Sequence, residues 1–324
     1  MPMITRRHML AGATAAAALA AGPARAAYPD RFVTLVVPVA PGGASDLVAR
    51  VLSVALPPVL GQSVVVENRG GAGGNIGIVS AARAAPDGYT LLVTSSALVV
   101  NPALYAKVAF DPAKDFEPVV DLGSAPNVLV TLPSSGITSF ADLIAKAKAD
   151  PDKFNYSTAG VGTTPHLAVE LLKLRAGINL THIGYSGAGP AFQAVLAGTV
   201  QLGSVALSNA LQHIKAGSVI ALVQTGAARW PDLPDVPTLE EAGYKGSVSE
   251  TFQALLAPAG TPAPVLERLQ KDVVTVLRQP DVDAKLKEAG FGVIAGGPDQ
   301  LRARIAREVP MWKDVIQKAG IKPL

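Results

Sequence analysis

An apolar, β-branched run from Phe32 to Val39 breaks at Pro41-Gly42-Gly43. Beyond Ser45-Asp46 the residues Val48, Val51, Leu52, Ala55 and Leu56 recur at helical spacing. A strand, a tight glycine turn and a helix start in direct succession point to a parallel βαβ unit, and so to an α/β fold. The first turn of a helix leaves backbone N–H groups without intrahelical partners and carries the positive end of the helix dipole. A glycine turn there lets an anion approach the backbone, which makes Pro41, Gly42, Gly43, Ala44, Ser45 and Asp46 a candidate carboxylate or phosphate seat. The same residues also suit an ordinary strand-to-helix turn with Asp46 as the N-terminal cap.

The N-terminus reads as an address. Thr5-Arg6-Arg7-His8-Met9-Leu10, an alanine-rich stretch to Ala21 and Ala24-x-Ala26 form an export signal expected to be cleaved after Ala26. The paired arginines suit the twin-arginine route, with the general secretory route as the alternative. Cleavage removes Arg6, Arg7 and Arg25 and no acid, so the formal charge falls from +3 to 0. No basic field then remains for nucleic acid or an anionic membrane. No later segment approaches about 20 continuous apolar residues, so a soluble mature protein is expected. Cysteine is absent from the chain, which excludes disulfides and thiolate chemistry. The remaining length suits two domains, and 49% hydrophobic against 16% charged residues indicates extensive burial.

Further strand-turn-helix units follow. Ser63 to Glu67 reads as a strand, and Asn68 to Gly77 as a glycine-dense loop before a helix. Gly71 and Gly73 open a G-x-G-x-x-G spacing, but Ile76 takes the third position and no Walker lysine follows, so this is no nucleotide fingerprint. The strand Thr90 to Thr94 ends at Ser95-Ser96, where parallel sheets face a ligand crevice, and Asn101 begins a short helical piece. Val119 to Asp121 and Val128 to Leu132 read as two strands flanking a crossing into a second domain. A helix is expected from Ser139 to Ala149. Asn155 to Thr158 then leads through Ala159, Gly160, Val161, Gly162 and Thr163 into a helix whose first turn holds His166, a second candidate anion seat. A third unit passes Tyr185, Ser186 and Gly187, and a strand from Thr199 to Leu207 reaches Ser208. Gly217 to Gln224 reads as a strand and Thr238 to Ala242 as a short helix. Phe252 to Leu256 returns the chain to the first domain. The remainder reads as helices, the last from Asp299 to Ala319 and interrupted or kinked by Pro310.

A catalytic constellation is missing. His166, His182 and His213 form no i,i+4 pair and no H-E-x-x-H, so no metal site is expected, and His166 reads as a structural bond to its loop. Gly184-Tyr185-Ser186-Gly187-Ala188 places alanine where a nucleophile elbow needs glycine. Asp46 has no partner acid set by the sequence. The chain is therefore expected to bind rather than to catalyse, without cofactor or metal.

Several short motifs in one order resemble the periplasmic solute receptors of tripartite tricarboxylate transporters, the Bug receptor family. They are Pro38-x-x-Pro41-Gly42-Gly43-x-x-Asp46-x-x-Ala49-Arg50, Val66-Glu67-Asn68-Arg69-x-Gly71-Ala72-Gly73-Gly74, Pro86-Asp87-Gly88-Tyr89, Asn101-Pro102-x-Leu104-Tyr105, His166-Leu167 and Asp235-Val236-Pro237-Thr238. The resemblance implies a two-lobed type II periplasmic binding protein, or Venus-flytrap, fold in which each lobe is a mainly parallel sheet flanked by helices. The first lobe would comprise residues 27–128 and 251–324, the second 129–250. A small organic carboxylate would lie between the loops 40–46 and 159–163, with Tyr185, Ser186 and Gly187 beside them. Ser96, Asn101, His166 and Ser208 complete the expected set. Asp46 would orient amides or a water rather than touch the ligand, because like charges repel. Ser186 stands where the family commonly has lysine, and Gly70, Gly184, Gln201 and Phe252 are further departures. The implied function is a monomeric periplasmic receptor delivering its ligand to membrane transporter subunits, with no nucleic-acid partner. A ligand sensor feeding a signalling system and a secreted hydrolase are the other readings.

Overall fold

The computed structural model describes residues 28–151 and 153–324, so the export signal read in residues 1–26 lies outside the described residues. Strands β1 (Val33–Val37), β2 (Val64–Asn68) and β3 (Thr90–Ser95) pair in parallel in the order β2-β1-β3. The connections are α1 (Ala44–Ala55) with the single turn α2 (Pro57–Leu60), then α3 (Asn75–Ala82). Of the residues at helical spacing, Val48, Leu52 and Leu56 are buried and Val51 and Ala55 half-buried, and Ala49 joins the buried side of α1. Helix α4 (Ala97–Leu104) begins ahead of Asn101 and runs through Pro102.

The two strands expected at 119–121 and 128–132 are one, β4 (Phe116–Thr131), which runs through both sheets of the molecule. Up to Pro126 it lies between the antiparallel strands β9 (Glu250–Pro258) and β10 (Gly292–Gly296), and β9 also pairs antiparallel with β3. From Asn127 its partners become β7 (Leu202–Ala206) and β8 (Ile220–Gln224). The second sheet then continues in parallel through β5 (Asn155–Thr158) to β6 (Thr181–Gly184). Register shifts at Pro118/Val120 and Asp121/Gly123 absorb the residues that look like strand breaks in the sequence, because a bulge takes up an extra residue without ending the pairing.

Helices cover both faces of each sheet. On the first, α1, α9 (Ala263–Leu277) and α10 (Pro280–Glu288) bury Leu52, Val273 and Leu286 on one side. On the other side, α4 and α11 (Pro298–Lys318) bury Leu98, Leu301 and Trp312. On the second sheet, α5 (Phe140–Ala149) and α6 (Thr164–Ala176) pack with Leu143, Tyr156 and Leu172, opposite α7 (Ala188–Leu196) and α8 (Leu207–Lys215) with Phe192, Val195 and Leu211. Leu167 and Leu171 of α6 belong to the core shared with α4 and α11, so apolar packing joins the lobes. Helix α11 continues through Pro310 without interruption. No helix forms at Thr238 to Ala242. Thr238 and Glu241 exchange the two hydrogen bonds of a capping box (2.8 and 3.1 Å), but Thr238 is also drawn into a bridge with Gln224, and a turn alone results. Strand β10, short and bounded by glycines, has no clear period in the sequence.

A buried polar cluster ties β5, β6 and α6 together. Tyr156 OH donates to Glu170 Oε1 at 2.6 Å, Lys173 Nζ donates to the same oxygen at 2.9 Å, and the His166 and His182 rings lie 4.0 Å apart beside Tyr156. Burial, helped by His182 and Lys173, drives His166 from 6.5 down to about 3, and burial lowers His182 as well. Asp121 of β4 works in the opposite direction: burial lifts it to about 6 although Arg304 Nε lies 2.9 Å away. Between pH 6.5 and 3 the unfolded chain takes up a proton that the folded His166 refuses, so this contribution is complete above pH 6.5 and is lost as the pH falls. The variant His166→Asn keeps an acceptor oxygen near the Nδ1 position. Urea unfolding at pH 7, 6 and 5 should show the wild type losing about 1 kcal/mol per pH unit more than the variant. Parallel pH dependences would show that His166 is not held neutral.

Candidate ligand-binding site

Both candidate seats follow one local rule. In the first, the chain leaves β1, turns at Pro41-Gly42-Gly43 and enters α1 with Gly43 as the N-cap. Asp46 is not itself the cap. It stands in the first helical turn, 2% exposed, and its carboxylate reaches back to accept the Gly42 N–H at 2.8 Å. Arg50 Nε at 2.8 Å and Asn68 Nδ2 at 2.9 Å also donate to the carboxylate, and Asn68 binds the Val39 carbonyl at 3.0 Å. Burial pushes the Asp46 carboxyl up, but the hydrogen bonds from Arg50, Gly42 and Asn68 outweigh it and hold the group below the usual carboxylate range.

The second seat repeats the device with different chemistry. The chain leaves β5, turns through residues 159–163 and enters α6 with Thr163 as the N-cap. His166 occupies the same helical position as Asp46 and accepts the Gly162 N–H at Nδ1, 3.1 Å. Thr158 Oγ1 accepts the Gly160 N–H at 3.2 Å and bonds His182 Nε2 at 2.7 Å. Leu47 N–H to Gly43 O and Leu167 N–H to Thr163 O, both 3.0 Å, are the bonds with which the two helices begin. The amides of Ala44 and Ser45 in one seat, and of Thr164 in the other, precede them and lack helical acceptors.

A cleft of about 310 Å³ opens where the lobes meet. The first lobe lines it with Val39, Gly73, Ser95, Ser96, Asn101 and Tyr105, among others, and the second with Val161, Gly162, Thr163 and Thr164. Ser96 Oγ accepts from Phe252 N–H (3.1 Å) and reaches the Glu250 carbonyl (3.3 Å). Asn101 Nδ2 holds Gly73 O (2.9 Å) and Asn75 Oδ1 (2.8 Å), so the glycine-dense loop is fastened beside the cleft. Thr164 Oγ1 meets Thr251 Oγ1 of β9 at 2.5 Å. Among the described residues, no acidic, lysine, arginine or histidine side chain lines this cleft. Hydroxyls and amides within apolar walls can receive an anion through hydrogen bonds but supply no full counter-charge.

The residues expected from the sequence divide. Ser96, Asn101, Val161, Gly162 and Thr163 come together in the cleft. Pro41, Gly42 and Asp46 instead line a groove of about 780 Å³ between α1 and α10, because the bonds to Asp46 curl the turn back over its own helix. Gly43, Ala44 and Ser45 complete that turn, with Ser45 Oγ donating to Gln253 Oε1 at 2.7 Å, and the first seat lines the cleft through Val39. Ala159 and Gly160 stand behind Val161, with Gly160 close to the Tyr185 carbonyl, while Tyr185 N–H donates to Thr158 O at 3.0 Å. Ser186 is exposed, Gly187 caps α7, and His166 lies beneath its loop. Ser208 packs against Gly290, away from the cleft. Sequence reasoning missed Val39, Gly73, Tyr105 and Thr164. Tyr105 closes the Asn101-Pro102-x-Leu104-Tyr105 motif, so that spacing carried a usable signal.

Known proteins resemble this chain in sequence and fold. Residues 48–321 match the model of the tripartite tricarboxylate transporter family receptor. BugT of Bordetella pertussis is 37% identical over 310 residues, covering 95% of this chain and 95% of BugT. The structure of R. palustris Rpa4515 with adipate has 35% identity and a TM-score of 0.80, covering 92% of this chain and 100% of that one. MatC (Rpa3494) from Rhodopseudomonas palustris with bound malate has 34% identity and a TM-score of 0.76, covering 89% and 100%. Fold and extent of match agree, and the chain belongs to the tripartite tricarboxylate transporter receptors, a family of two-lobed periplasmic solute-binding proteins.

Proposed function

We propose that this protein captures a small organic carboxylate between its lobes in the periplasm and presents the closed form, as a monomer, to the subunits of a membrane transporter. The observation that carries this reading is the cleft lined from both lobes by hydroxyls and amides, at the turn Ser95 to Ala97 between β3 and α4 and at the turn Val161 to Thr164 between β5 and α6. Adipate and malate in the related structures support the ligand class. The proposed lobes are residues 27–128 with 251–324, and 129–250. The change of β4 partners at Asn127 and the start of β9 at Glu250 support that division. Within this reading residues 161–163 with Ser96 and Asn101 form the ligand seat, while the loop 40–46, Ala159, Gly160, His166, Tyr185, Ser186 and Gly187 support it from outside the cleft lining and Ser208 takes no part. One charged contact at a helix start is worth about 0.3 to 1 kcal/mol, so affinity requires several donors from both lobes. Closure excludes water and strengthens each of them.

Calorimetry on protein unfolded and refolded to free it of carried-over ligand should detect binding to di- or tricarboxylates, with the acid recovered unchanged. Heat of binding to none of succinate, malate, adipate, citrate and benzoate, or turnover of any of them, would contradict the proposal. Gly162 gives a second test. Its φ is +78°, and a Cβ there would run into Leu104 of the other lobe. Gly162→Ala should weaken binding at least about tenfold, because one costly contact of 1.4 kcal/mol already amounts to that factor. Adding Leu104→Ala should restore part of the loss by relieving the clash while the backbone strain stays. An affinity unchanged in the single variant would show that this contact plays no part in closure.

A further inference from the structure

Most polar side chains lining the cleft are already engaged in holding the backbone. Ser96 bridges Phe252 and Glu250, Asn101 fastens Gly73 and Asn75, Thr163 Oγ1 donates to the Gly160 carbonyl at 2.8 Å, and Thr164 meets Thr251. Ser95 Oγ accepts the Ala97 N–H at 3.4 Å. Tyr105 differs from all of these. Its ring packs half-buried against the apolar core around α4, and its hydroxyl lies over Gly73 at the cleft. Gly73 has φ +64°, and a Cβ at that position would collide with the hydroxyl, so the glycine makes the room that the phenol occupies. Among the described residues the Tyr105 hydroxyl has no hydrogen-bond partner.

A rigid ring ending in an unspent O–H costs little conformational entropy to use and can serve one acceptor. The opposite wall offers the turn at Val161 to Thr164 and the start of α6, where a carboxylate is favoured. A ligand that spans the cleft therefore meets amides at one end and Tyr105 at the other. Because no charged side chain lines the cleft, a second carboxylate there depends on donors of this kind. An alkyl end gains nothing from the hydroxyl and leaves it without a partner.

We infer that Tyr105 is a specificity-determining residue whose hydroxyl, seated over Gly73, donates to an acceptor at the far end of the bound carboxylate and so selects dicarboxylates over monocarboxylates of equal length. This rests on the carboxylate-receptor reading. The test uses the full mature chain, refolded free of ligand, with succinate against butyrate and adipate against hexanoate, read by calorimetry. The wild type should bind the better diacid at least tenfold more tightly than its monoacid. Tyr105→Phe should bring that ratio close to one by weakening the diacid about 10- to 100-fold while leaving the monoacid within about threefold, as expected for one hydrogen bond to a charged acceptor. Circular dichroism and the apo melting temperature should match the wild type. A ratio preserved in Tyr105→Phe, or an equal loss for diacid and monoacid, would overturn the inference and assign Tyr105 to packing. Binding of citrate or benzoate alone would overturn the selectivity and leave the receptor reading intact. Binding of no acid by either protein would bring down both.

Discussion

The structure depends on a single strand serving two sheets. Up to Pro126, β4 exchanges its hydrogen bonds with β9 and β10; from Asn127 it exchanges them with β7 and β8. Asn127 is wholly buried and pins the change of partners: its N–H donates to Thr225 Oγ1 at 2.9 Å, its side-chain amide to Ser249 O at 3.2 Å, and its Oδ1 accepts from Thr251 at 3.4 Å. A buried amide of this kind is costly unless satisfied, so the satisfied state is specified and the two sheets meet in one register. The cleft follows from that junction, since Thr251 is also the residue that meets Thr164 at the start of α6.

Around the junction, each lobe stiffens its own turn by the same means. A side chain in the first turn of the helix reaches back four residues to a glycine N–H, Asp46 to Gly42 and His166 to Gly162. The chemistries differ in a way that suits their surroundings. Asp46 is ionised and can be buried because Arg50 and Asn68 surround it, and it lies toward the outer groove. His166 takes the place of a carboxylate in the turn that does line the cleft, and burial keeps its imidazole neutral, so that turn carries neither a negative nor a positive charge of its own. An anion approaching the second turn meets donors and no opposing carboxylate.

Much of the architecture was legible in the sequence for identifiable reasons. The β-branched run before Gly42, the short Asn155 to Thr158 segment before Gly160 and the helical spacing of Val48, Leu52, Leu167 and Leu171 are local signals, and the corresponding strands and helices formed. The two glycine turns stand out because a glycine amide beside a helix start is a local feature too. Misreadings occurred where local signals and long-range pairing disagreed. Pro118 and Gly123 look like strand breakers, yet bulges against β9 carry one strand across them, and it runs on through Pro126 in register with Glu250. Thr238 and Glu241 make the start of a helix, yet pairing with Gln224 stops it at a turn. The glycine-dense loop from Asn68 to Gly77 has no role legible in its spacing; its purpose appears only with Asn101 and Tyr105 against it.

By itself the sequence determined the parallel βαβ beginnings, most of the helices and the chemical character of the two turns, because each rests on residues close along the chain. The tertiary structure alone decided which side of each turn faces the cleft. The direction of the first turn is set by bonds donated by Asn68 and Arg50 and by one that Gln253 accepts from Ser45, and the cleft walls come from segments far apart in the chain, such as Gly73, Tyr105 and Val161 to Thr164. Spacing along a chain encodes periodicity, whereas the meeting of distant side chains depends on how whole sheets pack, and so the binding surface could be drawn only from the folded molecule.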